Sequence, residues 1–328
     1  MDFNLLSSTL ESLNQPKYRL KQITDAYYSG HFKDWLAVTS LSLDLRQYLQ
    51  SQFPLYSLSV EKTLTSSGTQ KILFKTADDQ YFESVLMQYP EWNTVCLSTQ
   101  IGCPLNCAFC ATGKMGFKRN LTAEEIVEQV ILWKNQFPVD RLVFMGMGEP
   151  FLNYSNLKLA IETINTVLKI GSRKISVSTA GIIPQIKQFA LDFPQINLAI
   201  SLHAINQSTR LKIMPITQQY PLNELLDQAK NYVSLTRRQL FFEYALFEDI
   251  NDSPQDIASL AKFIKSNYLF YLNLIPVNQV PNGLKASTKL TQIVNYLTQN
   301  QVDFSVRQSF GQEINSACGQ LAYTTGKI

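Results

Sequence analysis

Short apolar segments alternate with amphipathic segments along the chain from residue 94 onwards. Most of the short segments are apolar or β-branched, as is typical of strands buried on both faces of a sheet. These predicted strands cover residues 95–99, 141–145, 174–178, 197–202, 239–246, 271–276 and 303–307. Their length and composition predict a sheet at the centre of the molecule.

The segments between these strands have the periodicity of amphipathic helices. They cover residues 122–135, 156–168, 184–192, 222–234, 254–267 and 289–298. At the start of the first helix, Thr122 and Glu125 have the spacing of a capping box. Strands that alternate with helices indicate right-handed βαβ units and a parallel sheet. We therefore predict an α/β fold with a partial (β/α)6-type barrel rather than a doubly wound sheet.

The segment before this alternation has a different pattern. Helices are predicted over residues 5–13, 18–28, 31–38 and 43–53, followed by a small antiparallel sheet over residues 57–64, 71–75 and 81–87. We therefore predict an α+β accessory domain over residues 1–88 and a core over residues 89–328. Lys17, Arg19 and Lys21 lie close to tyrosines, which is typical either of an RNA-binding face or of a solvated helix edge.

Composition adds little to this outline. Lys and Arg number 29 against 26 Asp and Glu, a net charge of +3 that is too small to argue for a nucleic-acid partner. No segment approaches the roughly 18 uncharged apolar residues of a membrane helix, and the N-terminus has no basic region before an apolar one. We expect a cytoplasmic protein with no membrane partner.

The five cysteines are the strongest chemical signal. Their odd number argues against a disulfide framework and for a metal or catalytic role. Cys103, Cys107 and Cys110 have the C-x-x-x-C-x-x-C spacing of radical S-adenosylmethionine enzymes, in which three thiolates bind a [4Fe–4S] cluster and leave one iron open. A structural zinc site normally has four ligands, and the nearest fourth cysteine is Cys96. An open cluster is the favoured interpretation, and a zinc-stabilised loop is the alternative.

Residues with suggestive chemistry follow the predicted strands. Gly148 and Glu149 follow the second strand, Ser178 ends the third, and Ser201 and His203 lie at the end of the fourth. In barrels of this class the active site lies at the carboxyl ends of the strands. The pattern therefore predicts one cavity that collects these side chains beside the cysteine loop.

Seven segments of the sequence resemble the radical-SAM RNA adenine methyltransferases of the RlmN/Cfr family. They are residues 96–113, 116–122, 146–153, 178–181, 201–204, 214–216 and 317–321. The resemblance implies that Cys103, Cys107 and Cys110 bind the cluster. It also implies a set of S-adenosylmethionine contacts: Gly148, Glu149, Ser178, Ser201, Leu202, His203 and Asn278.

The resemblance further implies the route of the reaction. Cys318 matches the cysteine that becomes methylated, Cys96 the cysteine that forms a transient disulfide with it, and Glu83 the proton acceptor. Two molecules of S-adenosylmethionine are consumed per turnover in such enzymes, and an electron donor such as flavodoxin supplies electrons. The implied substrate is carbon 2 of an adenosine in 23S rRNA and, in some members, in tRNA.

Two other functions remain open at this stage. Phe310 and Glu313 depart from the carbon-2 pattern, and Phe310 resembles the carbon-8 branch that gives antibiotic resistance, whereas Pro150 and Ala204 match the carbon-2 branch. We favour carbon 2.

The second alternative is a zinc-stabilised RNA-binding protein. A generic radical-SAM enzyme is disfavoured because such an enzyme needs no methylated thiol.

Overall fold

The computed structural model describes residues 3–277, 284–307, 311–314, 316 and 319–321. Ten strands of this part of the chain form one sheet. In their order across the sheet, the strands are β1 (Ser59–Ser66), β2 (Thr69–Lys75), β3 (Tyr81–Gln88), β4 (Asn93–Cys96), β7 (Arg141–Phe144), β8 (Ile175–Thr179), β9 (Asn197–Ser201), β10 (Leu240–Leu246), β11 (Phe270–Pro276) and β12 (Phe304–Val306). A second, two-stranded sheet joins β5 (Gln100–Gly102) to β6 (Phe117–Asn120).

Eleven α-helices lie in the described residues. They are α1 (Phe3–Ser12), α2 (Tyr18–Ser29), α3 (Leu43–Gln52), α4 (Ala111–Lys114), α5 (Ala123–Lys134), α6 (Tyr154–Thr166), α7 (Ile183–Asp192), α8 (Gln207–Ile213), α9 (Leu222–Thr236), α10 (Pro254–Ile264) and α11 (Leu290–Gln299). None of the described helices is long and apolar enough to cross a membrane.

The parallel part of the sheet confirms the predicted barrel core. Strands β4 and β7 to β12 pair in parallel, and at least one helix lies between each strand and the next in this series. All seven predicted strands are present, with ends shifted by a few residues. Apolar side chains at alternate positions of these strands, such as Leu142, Val177, Ile200 and Leu272, are fully buried, and the strand register places them on one face of the sheet. This buried face forms the core between the sheet and its helices.

Strands β1 to β3 are antiparallel, as predicted, but they extend the same sheet as the barrel because β3 pairs antiparallel with β4. The division into an accessory domain and a core stays a prediction. One helix prediction is wrong: residues 31–38 hold only a 3-10 turn at Trp35–Ala37. There the Asp34 side chain accepts from the amide of Ala37, and the indole N–H of Trp35 donates to Phe53, so the segment is fixed by contacts other than helical ones.

Candidate active site

The cysteine loop follows β5 and ends at α4. Its shape is set by backbone contacts: the amide of Ala108 donates to Ile213 at 2.9 Å, and the amide of Cys103 donates to Gly116 at 3.1 Å. Asn106 adopts a left-handed conformation with φ +47°, which turns the chain between the first two cysteines. The loop thereby brings Cys103, Cys107 and Cys110 to the wall of one cavity.

Burial makes two of these thiols weak acids. It raises the pKa of Cys103 to about 12 and that of Cys107 further still. Among the described residues, no three His, Cys, Asp or Glu side chains are arranged to hold a single metal ion. The three cysteines instead line one shared cavity. The three sulfur donors are therefore placed to bind a group larger than a single metal ion.

Glu149 is fixed in the wall of this cavity. One carboxylate oxygen accepts from the amide of Ala180 at 2.7 Å, and the other accepts from the amide of Phe151 at 3.0 Å. Its own amide donates to the Gln100 side chain at 2.8 Å. Burial raises the pKa of Glu149 to about 7, and the bond from Ala180 opposes that rise. Glu149 is therefore a rigidly held acceptor for a polar or cationic ligand group.

Ser178, Ser201 and His203 complete the predicted set on this cavity, at the carboxyl ends of β8 and β9. His203 Nδ1 accepts from the amide of Ala245 at 3.0 Å, which assigns the ring proton to Nε2. Burial lowers the pKa of His203 to about 3, with a smaller contribution from the positive charge of Arg210. At neutral pH the ring is therefore an uncharged donor from Nε2.

Leu202 is fully buried and is not among the cavity-lining residues, so the structure gives it a supporting position. Its carbonyl accepts from Arg210 Nε at 3.0 Å. Arg210 itself is fully buried and also donates to the carbonyls of Ala180 and Ser201. Sequence reasoning missed Arg210, because an arginine on a short helix is usually solvated.

Glu83 and Cys96 lie on the neighbouring strands β3 and β4 but do not line the cavity. Glu83 Oε1 lies 2.8 Å from Lys71 Nζ, and both side chains are more than nine-tenths buried. Cys96 is also buried, and its carbonyl accepts from the Ser84 hydroxyl. The two residues thus lie on adjacent strands of the sheet, outside the lining of the cavity that the three loop cysteines share.

Asn278 and Cys318 lie outside the described residues. The chain that follows Cys318 is nevertheless bonded to the start of α4, directly after the cysteine loop. The carbonyl of Gly319 accepts from the amide of Ala111 at 2.8 Å, and that of Leu321 accepts from the Thr112 hydroxyl at 2.6 Å. Gly319 also lines the cavity.

Comparison with known proteins gives consistent matches. The Radical SAM superfamily matches residues 97–263. A protein of Halalkalibacterium halodurans named probable dual-specificity RNA methyltransferase RlmN is 41% identical over 332 residues, covering 98% of this chain and 91% of the relative. A protein of the same name from Spiroplasma citri is 40% identical, covering 93% of this chain and 91% of the relative. The crystal structure of a radical SAM methyltransferase from Sphaerobacter thermophilus matches with a TM-score of 0.90 and 36% identity, covering 98% of this chain and 97% of that chain.

A partial barrel with three loop cysteines on a cavity at its carboxyl end, together with the match over residues 97–263, makes this chain a member of the radical SAM superfamily. Such enzymes use a [4Fe–4S] cluster and S-adenosylmethionine. Within the superfamily the chain belongs to the RlmN family of methyltransferases, since the relatives of that name at 41% and 40% identity match over nearly its whole length.

The residues present fit these two groups. Three sulfur donors on one loop are the ligands that iron–sulfur clusters take. The buried acceptor Glu149 and the neutral donor His203 lie on the same cavity. Two further charged side chains, Glu243 and Arg307, also line it, and the sequence alone gave no reason to select Glu243.

Proposed function

We propose that this protein methylates carbon 2 of an adenosine in RNA, with 23S rRNA and tRNA as substrates. The relatives named dual-specificity RNA methyltransferase RlmN support the RNA substrate. The observation that carries the proposal is the cavity in which the three loop thiols face Glu149, Ser178, Ser201 and His203.

Cys103, Cys107 and Cys110 would hold the cluster by their sulfurs, with Gly148, Glu149, Ser178, Ser201, His203 and Asn278 around the cofactor. When bound, these groups supply the one-electron chemistry that a carbon as weakly nucleophilic as carbon 2 of adenine requires. Glu149 would accept a hydrogen bond from a ligand amine, and His203 would donate one from Nε2. Both roles follow from side chains that are already fixed by backbone amides.

Cys318 would carry the methyl group to the base on its sulfur. Glu83 would accept the ring proton, with Lys71 beside it to favour the ionised carboxylate. The Cys96 thiolate would then attack the Cys318 sulfur, breaking the carbon–sulfur bond of the adduct and leaving a disulfide, and the released carbon would take up a proton to become the methyl group. A reductant, such as flavodoxin with its own reducing system, must return two electrons to restore both thiols. The bonds from α4 to Gly319 and Leu321, which follow Cys318 in the chain, support the role of that cysteine.

Mass spectrometry of nucleosides tests this function. Unmodified rRNA and tRNA would be treated with the iron-loaded protein, S-adenosylmethionine and a reductant, and we expect 2-methyladenosine from both RNAs. The product 8-methyladenosine would overturn the carbon-2 assignment, and the absence of any methyladenosine would overturn the function. Cys318→Ala should give no product, whereas Cys96→Ala should accumulate a covalent RNA–protein adduct. Free methylated RNA from either variant would contradict the assigned role.

A further inference from the structure

Four adjacent strands place polar side chains at one level inside the barrel. The strand register pairs Glu243 on β10 with Ser201 on β9 and with Asn273 on β11, and pairs Asn273 with Ser305 on β12. The Ser305 hydroxyl donates to Asn273 Oδ1 at 2.7 Å, and Asn273 Nδ2 donates to Glu243 Oε1 at 3.1 Å. This chain of hydrogen bonds fixes the orientation of the Glu243 carboxylate.

The second oxygen of that carboxylate has no hydrogen-bond partner. Glu243 is only 4% exposed, and Oε2 is buried without a donor among the described residues. A buried acceptor of this kind is costly unless something donates to it. Glu243 lines the same cavity as the loop cysteines, so a ligand in the cavity can reach it.

Arg307 lies beside this oxygen. Its Nη1 is 3.7 Å from Glu243 Oε2, which is an ion-pair distance but too long for a hydrogen bond between them. Both terminal nitrogens also lie 3.7 Å from the Met145 sulfur. Arg307 lines the cavity too, and the wall next to the pair is apolar, with Met145, Ala245 and Ile275. An acceptor next to a donor, set in an apolar wall, suits the edge of a flat heteroaromatic ring.

We infer that Glu243 and Arg307 recognise an adenine ring: Glu243 Oε2 accepts from the exocyclic amine, and Arg307 donates to the neighbouring ring nitrogen. Adenine presents an N–H donor beside a nitrogen acceptor, whereas guanine and hypoxanthine present a carbonyl oxygen in place of the amine. The carboxylate would repel that oxygen. The pair therefore selects adenine over the 6-oxopurines.

This inference rests on the proposed function, in which two adenines enter the cavity. One belongs to S-adenosylmethionine and the other to the RNA. The recognition chemistry is the same for both, so the experiment has one arm for each source.

The first arm measures equilibrium binding of S-adenosylhomocysteine and of its inosine analogue to the full-length protein by calorimetry. The second measures, by fluorescence anisotropy, binding of an RNA with adenosine or inosine at the target position. Wild-type protein should prefer adenine by roughly 10- to 100-fold in at least one arm, the discrimination that a good paired contact provides. The arm in which the preference for adenine appears shows whether the pair binds the adenine of the cofactor or that of the RNA.

Glu243→Gln is the decisive variant. Its amide oxygen would keep the bond from Asn273, and its NH₂ group would face the cavity, so the acceptor becomes a donor. We expect the preference for adenine to be lost, with the inosine ligand bound as well or better. Ser305→Ala only loosens the orientation of Asn273, so it should lower the preference for adenine less than Glu243→Gln does. This variant serves as the second test if Glu243→Gln does not fold. Glu224→Gln, the same change on an exposed face of α9, should change nothing.

Unchanged preference in both arms for Glu243→Gln and Ser305→Ala would overturn the inference. If the wild-type protein still forms methyladenosine in that case, the proposed function stands without this pair. If the first arm responds but no methyladenosine forms, the pair recognises the cofactor and the proposed function fails instead.

Discussion

At the scale of single residues, Gly148 occupies a position that other residues cannot take. Its φ is +101°, a conformation that residues with a Cβ rarely adopt. A Cβ there would lie 2.6 Å from Cβ of Gln100, whose side chain holds the amide of Glu149. The glycine therefore permits the close approach that orients Glu149.

Gly148→Ala should disturb this wall of the cavity. We expect a loss of about 1–3 kcal/mol in the free energy of unfolding from backbone strain, and weaker binding of S-adenosylhomocysteine because Glu149 must move. Gly171→Ala is the matched control, since its added methyl group meets nothing within 4 Å. Urea denaturation and calorimetry measure the two effects. Equal free energies of unfolding and equal affinities for S-adenosylhomocysteine in the two variants would contradict this account.

His203 predicts a dependence of stability on pH. Its pKa in the folded protein, about 3, lies below the ordinary histidine value of 6.5, so the unfolded chain binds the proton more strongly. The stabilisation is complete above pH 6.5 and is lost as the pH falls towards 3. Between these values the contribution should change by up to about 1.4 kcal/mol per pH unit.

Urea denaturation from pH 4 to pH 7 tests this prediction on the metal-free protein. His203→Gln should flatten the curve relative to wild type, whereas His31→Gln, at the exposed histidine, should not. Parallel curves for wild type and His203→Gln would show that the ring is not buried in its neutral form.

At the scale of elements, the short helix α8 fixes the carboxyl ends of the strands that form the cavity. Arg210 on this helix donates to the carbonyls of Ser201 and Leu202 at the end of β9, to that of Ala180 after β8 at 2.6 Å, and to the Thr217 hydroxyl at 2.8 Å. The guanidinium is fully buried, and burial lowers its pKa to about 10. One side chain thus holds together the carboxyl ends of β8 and β9, where Ser178, Ser201 and His203 line the cavity.

Arg210→Met should leave these carbonyls without donors at similar side-chain volume. We expect the free energy of unfolding to fall by about 3 kcal/mol or more, because several charged hydrogen bonds are lost together. Lys212→Met, on an exposed position of the same helix, should have little effect. Chemical denaturation gives both values, and a loss below about 1 kcal/mol for Arg210→Met would refute the role.

At the scale of the whole molecule, the N-terminal segment is joined to the barrel by Glu128 on α5. This fully buried carboxylate accepts from the Tyr27 hydroxyl at 2.8 Å, from the amide and hydroxyl of Ser57, and from the amide of Leu58. Together with the pairing of β3 and β4, these bonds attach α2 and the start of β1 to the core.

Glu128→Gln should weaken that attachment, because an amide cannot accept from all four donors. We expect a loss of about 2–3 kcal/mol in the free energy of unfolding and faster proteolysis of residues 3–58. The neighbouring Glu124→Gln, on an exposed position of α5, is the control. If proteolysis of the N-terminal segment were unchanged, the segment would be held by the sheet alone.

The sequence by itself determined the local elements and the cysteine loop. Alternating apolar segments predicted the parallel strands, and the spacing of Cys103, Cys107 and Cys110 predicted a loop with three sulfur donors, because both signals depend on residues close together in the chain. The capping box of Thr122 and Glu125 is present for the same reason. The 31–38 segment was mispredicted because its geometry depends on the distant residue Phe53.

Only the tertiary structure decided which side chains contact one another in the cavity. The neutral state of His203, the buried Arg210 and the carboxylate of Glu243 depend on strand register and on bonds between residues up to 48 positions apart. A sequence pattern records the polarity of each residue but not the partner across the barrel. The charge states and hydrogen-bond directions of the cavity follow from those partners, and the fold alone supplies them.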